Sequence, residues 1–161
     1  MDDAPAGFAS RPVTAADEAV LLALFGAVRA GELHLDGWEP ALRDQMLRTQ
    51  FDAQRRGYRE EFPAAGERLI LHAGVPIGWV IVDASGRDLH GIDIGLLPEH
   101  QSKGVGTHVI RALQHEAAAE GRRMVITVQR FNVRARALYE RLGFRSTRET
   151  DIHVVMEWRQ E

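Results

Sequence analysis

The sequence predicts an α/β fold around a single mixed, mostly antiparallel central sheet flanked by helices, in the order β-α-α-β-β-β-α-β-α-β-β. Three observations carry this. Apolar residues recur at helical spacing before residue 63, and again over 108–120 and 132–142. Between these stretches, three consecutive runs within residues 68–97 switch to period two. Gly121 and Gly143 close the last two helical stretches, where a chain needs a residue that tolerates positive φ. At 161 residues and 18.0 kDa, the chain has the size of one domain, 1–161, with one core.

Taken in order, Phe8–Arg11 before Pro12 reads as a first strand. Thr14 or Asp17 caps a helix reaching about Val28, with Leu21, Leu24, Phe25 and Val28 on one face. Residues 31–37 form a loop. A second helix from about Pro40 to Arg59 lays Leu47, Phe51, Gln54, Tyr58 and Phe62 along one stripe, stopped by Pro63 and Gly66. Leu47 and Phe51 read as core, whereas Gln54 and Tyr58 have polar tips suited to a cleft wall. Arg68–His72, a turn at 73–76 and Ile77–Val82 make a hairpin, and Leu89–Leu97 is the third strand of the run. His108–Glu120 is a helix with Val109, Ile110, Leu113 and Ala117 inward. Met124–Val128 is a buried strand, Asn132–Leu142 a helix, and Phe144 onward and Ile152–Trp158 the last two strands.

Composition excludes several classes. Apolar residues are 45% and charged residues 27%, which rules out global disorder. The longest apolar run, Ala19–Val28, is half the roughly 20 residues a bilayer span needs, so no membrane partner is expected. The acidic start Met1-Asp2-Asp3-Ala4-Pro5 lacks the basic and apolar regions of a secretory signal, so a cytoplasmic protein is expected. Cys is absent, which excludes disulfides, zinc–thiolate sites and a cysteine nucleophile. The net charge of −3 hides an uneven distribution. Residues 1–100 sum to −7, residues 101–148 to +7 and residues 149–161 to −3. A basic block in an acidic chain is a candidate anion site, although any single Arg in it reads as surface. Arg outnumbers Lys 19 to 1, a compositional bias that makes the lone Lys103 and the lone Asn132 stand out.

Within the basic block, residues 96–107 join a strand to a helix through Gly104 and Gly106. Such a loop is an anion cradle: orphan backbone N–H groups at a helix start face the ligand, and the helix dipole adds positive potential. Neither familiar nucleotide motif fits. A P-loop needs Lys directly after the last Gly, where Thr107 stands, and a dinucleotide fingerprint needs a third Gly at Val109.

Gln-x-x-Gly-x-Gly at 101–106, followed by Asn-x-x-Ala-x-x-Leu-Tyr-Glu-x-x-Gly-Phe at 132–144, resembles the GCN5-related N-acetyltransferases (GNAT). The resemblance implies the acyl-CoA N-acyltransferase fold and acetyl-CoA as co-substrate. It places the coenzyme's pyrophosphate on the backbone of Ser102, Lys103, Gly104, Val105, Gly106 and Thr107, after Gln101. It also implies that backbone groups of Ile94, Leu96 and Leu97 pair with pantetheine, because this strand splays from Met124–Val128. Asn132 would bind the coenzyme's arm, Tyr139 would sit near its sulfur, and Arg134 or Arg136 would meet the 3′-phosphate. Gln101 and Ser102 stand where the family commonly has Arg and Gly.

Without cysteine, the favoured route is direct attack by an amine in a ternary complex, with proximity as the main device. A backbone N–H near Leu96 is suited to the developing oxyanion. Tyr139 is the candidate general acid, and Asp93, the one acidic residue in its strand, the candidate base, directly or through water. Attraction of a cationic substrate and a structural hydrogen bond are equal alternatives for Asp93. Glu99 and His100 read as loop edge. The seven histidines match no metal spacing, and no metal is assigned.

A non-catalytic acyl-CoA-binding sensor module on the same fold is the alternative. Nucleic-acid binding through the Arg-rich block is disfavoured by its lack of interleaved aromatics. The expected partner is a small-molecule or peptide amine. The acceptor side is assigned to residues 31–62 and 146–151. The acidic excess at Asp36, Glu39, Asp44, Asp52, Glu60 and Glu61 favours a cationic small molecule, an N-terminal amine or a lysine. Family members are often dimers, which leaves a homodimer open.

Overall fold

In the computed structural model, which describes residues 7–31 and 33–161, the element order is the predicted one. The acidic segment 1–6 and Glu32 lie outside the described residues. Strand β1 (Phe8–Pro12) leads through a short 3-10 turn to helices α1 (Glu18–Arg29) and α2 (Pro40–Glu61). Strands β2 (Gly66–His72), β3 (Val75–Asp83) and β4 (Leu89–Leu96) follow, then α3 (Val105–Ala119), β5 (Met124–Gln129), α4 (Val133–Arg141), β6 (Arg145–Glu149) and β7 (His153–Trp158).

The strands form one seven-stranded sheet in the order β1-β2-β3-β4-β5-β7-β6. Every neighbouring pair is antiparallel except β4 and β5. Alternation along the strands divides the apolar residues between two faces. On one face Leu21, Leu24 and Phe25 of α1 and Leu47 and Phe51 of α2 cover Leu69, Trp79 and Ile81. On the other, Ile110, Leu113 and Ala117 of α3 and Tyr139 of α4 cover Val80, Met124, Ile126 and Met156. Removing this apolar surface from water drives the assembly, at about 1.5–3 kcal/mol per fully buried large side chain. No helix among the described residues is long and apolar enough to cross a membrane.

Local chemistry sets the element ends. Pro40 occupies the first turn of α2, where its missing N–H costs nothing. Asn132 Oδ1 accepts the Ala135 amide at 3.1 Å and so caps α4. The β2–β3 turn is only Ala73–Gly74, both at positive φ, so β3 starts at Val75, two residues before the expected Ile77, while β2 is longer at its far end, from Gly66. Helix α3 starts three residues before the expected His108, because Gly104 at φ 84° turns the chain directly into it.

Two irregularities shape the centre of the sheet. The β3–β4 register slips between Ile81 and Val82: Ile81 opposes Asp93 and Val82 opposes Gly91, leaving Ile92 as an extra residue in β4. The parallel β4–β5 ladder then covers only Leu89–Met124, His90–Val125 and Gly91–Ile126. Beyond Gly91 the two strands part.

Candidate active site

The parting leaves the second half of β4 without a partner on its β5 side. Which backbone groups face the resulting slot follows from the β3–β4 ladder. The Leu97 amide donates to Ile77 O at 2.9 Å, which makes Gly78 and Leu96 a non-hydrogen-bonded pair. Amide and carbonyl of Leu96, and of Ile94 two residues earlier, therefore point away from β3 and into the slot. Gln101 Nε2 caps the Leu96 carbonyl at 3.0 Å, leaving its amide and both groups of Ile94. Leu97 departs from the expectation. Its amide is held by Ile77 and its carbonyl accepts the His100 amide at 2.9 Å, so its backbone is spent within the protein.

The slot runs into the loop before α3. Ser102 lies at φ 59° and Gly104 at φ 84°, and this left-handed pair aims successive amides to one side. Among the described residues, the amides of Ser102, Lys103 and Gly104, and those of Val105, Gly106 and Thr107 in the first turn of α3, find no protein acceptor. A Cβ at Gly106 would make only ordinary contacts, 3.6 Å to Leu138 and 3.9 Å to Leu96. A methyl group there would therefore meet two leucine side chains without a clash.

The two candidate arginines separate. Arg134 reaches back from α4 to the hydroxyl of Ser102, whereas Arg136 pairs with Glu149 of β6 at 3.3 Å. Lys103 is exposed on the loop. Asn132 uses its carbonyl oxygen as the α4 cap, which leaves its amide nitrogen as the group for a ligand.

Tyr139 is only 5% exposed and packs against Phe144, ring centres 5.7 Å apart. Its hydroxyl meets no protein partner among the described residues, yet it is not a sealed, unsatisfied atom, so its tip is reachable. Burial, with the charge of Asp93 second, pushes its pKa up to about 12. At neutral pH this phenol keeps its proton.

Asp93 projects from β4 toward the α1–α2 face. The extra residue Ile92 turns it there, and Ile92 itself packs in that core. Trp79 Nε1 donates to Asp93 Oδ2 at 3.0 Å, and Arg29 Nη2 donates to Oδ1 at 3.1 Å. The guanidinium also lies over the indole, 5.9 Å from its centre. The Trp79 ring lies across Gly95, and a Cβ on Gly95 would clash with two of its carbons, Cη2 and Cζ2. Tyr58, from the predicted α2 stripe, is the other phenol beside this carboxylate. Burial first, and Asp93 next, raise its pKa well above the usual range.

Trp79 and Arg29 are not among the residues the sequence singles out: Gly95 stands opposite Trp79 only through the β3–β4 register, and nothing in the helical pattern distinguishes Arg29. His100 sits at the loop edge with its ring 5.6 Å from that of His72, and no group of three or more His, Asp or Glu among the described residues could hold a metal.

Known proteins share this architecture. No curated protein matches the chain by sequence. Solved structures share its fold: the PaiA N-acetyltransferase of Thermoplasma acidophilum, in complex with coenzyme A, aligns at TM-score 0.73 and 13% identity, over 95% of this chain and 99% of its own. An acetyltransferase of Thermus thermophilus aligns at TM-score 0.70 and 20% identity, over 95% and 97%. The ribosomal-protein-S18-alanine N-acetyltransferase of Escherichia coli aligns at TM-score 0.65 and 18% identity, over 94% and 93%. The model of the acetyltransferase (GNAT) family matches residues 29–144, and this chain belongs to that family.

Proposed function

We propose that the chain is an acetyl-CoA-dependent N-acetyltransferase, moving an acetyl group to a primary amine by direct attack in a ternary complex. The observation that carries this reading is the unpaired backbone of Ile94 and Leu96, in a slot that leads to the free amides of residues 102–107. Ile94 and the Leu96 amide offer a strand edge to pantetheine. The loop amides offer donors to the pyrophosphate, with Gln101 bracing the strand end. Arg134, beside the loop, suits the 3′-phosphate better than Arg136, which Glu149 holds. The Asn132 amide nitrogen remains for the coenzyme's arm.

Acetyl-CoA supplies the activated acyl group as a thioester. Tyr139 donates a hydrogen bond at Oη toward the departing sulfur. Complete proton transfer from a phenol near 12 to an ordinary thiolate would be uphill by roughly 5 kcal/mol. The hydrogen bond itself, with solvent completing the transfer, is therefore the contribution assigned to Tyr139. Asp93, its oxygens held by Trp79 and Arg29, takes the amine's proton through a bound water more readily than directly.

Calorimetric titration with acetyl-CoA, followed by free-thiol release across an amine panel, tests the reading. Binding with thiol release on some amine is expected. Failure to bind acetyl-CoA overturns it, and binding without release on any amine leaves an acyl-CoA-binding module instead.

A further inference from the structure

We propose that Tyr58, steadied by Gln54, is the positioning residue for removal of the amine's proton: its hydroxyl, beside Asp93, holds the water through which that carboxylate acts. The proposal rests on the transferase reading above and adds α2 to its machinery. Gln54 and Tyr58 stand one turn apart on α2, where positions i and i+4 share a face. Leu47 and Phe51, earlier on the same stripe, are buried in the α1–α2 core, and Tyr58 packs at its border. The stripe thus ends in two half-buried polar side chains beside β4.

The hydrogen bonds run one way. The Gln54 amide donates to the Tyr58 oxygen, and the Tyr58 hydroxyl donates to Asp93. Trp79 Nε1 donates to Oδ2 of the same carboxylate and Arg29 Nη2 to Oδ1, so donors from α1, α2 and β3 converge on it. A carboxylate has about four lone-pair positions, and these donors leave little room for an amine to meet it directly. The phenol oxygen, its own proton committed to Asp93, offers a second acceptor at the same place. A water set between them donates to Tyr58 Oη and to Asp93 and accepts the amine's N–H. It then has the two to four polar partners that an ordered water needs.

The chain has two tyrosines, and the charge of Asp93 reaches both. Tyr58 lies on the α1–α2 face of the sheet and Tyr139 on the α3–α4 face. Their tasks divide accordingly, Tyr139 serving the departing sulfur and Tyr58 the nitrogen. Among the described residues, the charged and titratable groups facing Asp93 are Arg29 of α1, Tyr58 of α2 and Tyr139 of α4, while β3 contributes Trp79, which does not titrate. Burial keeps the Tyr58 proton in place beyond the ordinary tyrosine range, so this hydroxyl stays a donor across the pH span of the test.

The transfer balances. The ammonium gives one proton to this water, which passes one to Asp93, and the freed lone pair forms the C–N bond. The C–S bond breaks with its electron pair going to sulfur. Nitrogen then loses a second proton and sulfur gains one. The products are the N-acetylated amine, free coenzyme thiol and one released proton.

The test is Tyr58→Phe, which keeps the ring and deletes the hydroxyl, assayed by steady-state thiol release with acetyl-CoA and each accepted amine. The pH runs from about 7 to past the amine's own pKa, about 8 for an α-amine and about 10.4 for an alkylamine. Loss of a hydrogen bond to a charged partner predicts a kcat/KM at least about tenfold below that of the parent protein at the lower end. That deficit should close as pH passes the amine's pKa, and sooner for the α-amine, because a neutral amine has no ammonium proton to give up. Gln54→Leu should show a smaller deficit of the same pH dependence, with acetyl-CoA affinity unchanged in both variants. A merely structural role would lower activity by one factor at every pH. Such a constant factor, or activity equal to the parent's at the lower end, overturns this inference and leaves the transferase reading intact. A parent protein that releases thiol with no amine overturns both.

Discussion

In Gly95→Ala, the new methyl carbon would stand 2.7 Å from Trp79 Cε2 and closer still to Cζ2 and Cη2. No real Cβ tolerates such separations, so something must move. The indole is 3% exposed and backed by Phe25 with ring centres 6.4 Å apart, so it has no free direction. Overpacking of this kind costs about 1–3 kcal/mol. Displacing the ring also breaks the Trp79–Asp93 hydrogen bond, worth about 1.5–3 kcal/mol because the acceptor is charged. Together these predict a loss of about 2.5–6 kcal/mol, hence a fall in Tm of roughly 5–24 °C for a chain of this size. Thermal melts by circular dichroism measure it. The steric origin is checked in a Trp79→Phe background, where the smaller ring vacates the space and the same alanine should cost about 1 kcal/mol or less. A Tm within about 2 °C of the parent protein, or an equal cost in both backgrounds, would refute the reasoning.

Tyr139→Phe should lower kcat by on the order of 10²-fold with acetyl-CoA affinity nearly unchanged, read from steady-state kinetics and calorimetry. The same variant tests the ionisation. The folded phenol keeps its proton to about 12 and the unfolded one only to 10.0, so stability is complete below the lower value and falls as pH rises between them. Alkaline melts of Tyr139→Phe should lose that part of the decline. Gly104→Ala meets no atom within 4 Å but must adopt φ 84°, so it should cost about 1–2 kcal/mol from backbone strain alone and weaken acetyl-CoA binding by tilting the loop amides. Asp17 accepts two bonds from Arg11 and one from the Thr14 amide, which hold its carboxyl far below the usual range. Its stabilisation is therefore present above the ordinary Asp pKa of 3.8 and is lost as pH falls below it, and Asp17→Asn should flatten the acid side of a Tm-versus-pH curve.

The legible parts of this protein were those with a local cause. Helix faces, the hairpin and the strand–loop–helix connection each follow from spacing or from a glycine within a dozen residues, and each stands within about three residues of where the sequence puts it. Tyr139 and the loop 101–107 are candidates from sequence for the same reason, since they belong to contiguous motifs. Trp79, Arg29 and the state of Leu97 were not legible. Trp79 meets Asp93 across a ladder whose register depends on pairing, and Arg29 meets it from a helix 64 residues away in sequence. Leu97 sits in the predicted strand run, and only the hydrogen-bond phase of that ladder shows that its amide faces β3 rather than the slot.

The extra residue at Ile92 links these two kinds of information. In a regular strand Asp93 would lie on the face opposite Ile92, because successive side chains alternate. The bulge breaks that alternation, so Ile92 enters the α1–α2 core and Asp93 reaches Trp79 and Arg29 on the same side. From Asp93 onward the alternation resumes, which sends the backbone of Ile94 and Leu96 toward β5 and their side chains into the α3–α4 core. Pairing with β5 ends at Gly91, one residue before the bulge, so those backbone groups meet no strand. One inserted residue thus sets both halves of the candidate site, a carboxylate on one face and an open strand edge beside it. Neither half could shift by a residue without the other, because a one-residue slip exchanges the faces of the whole strand.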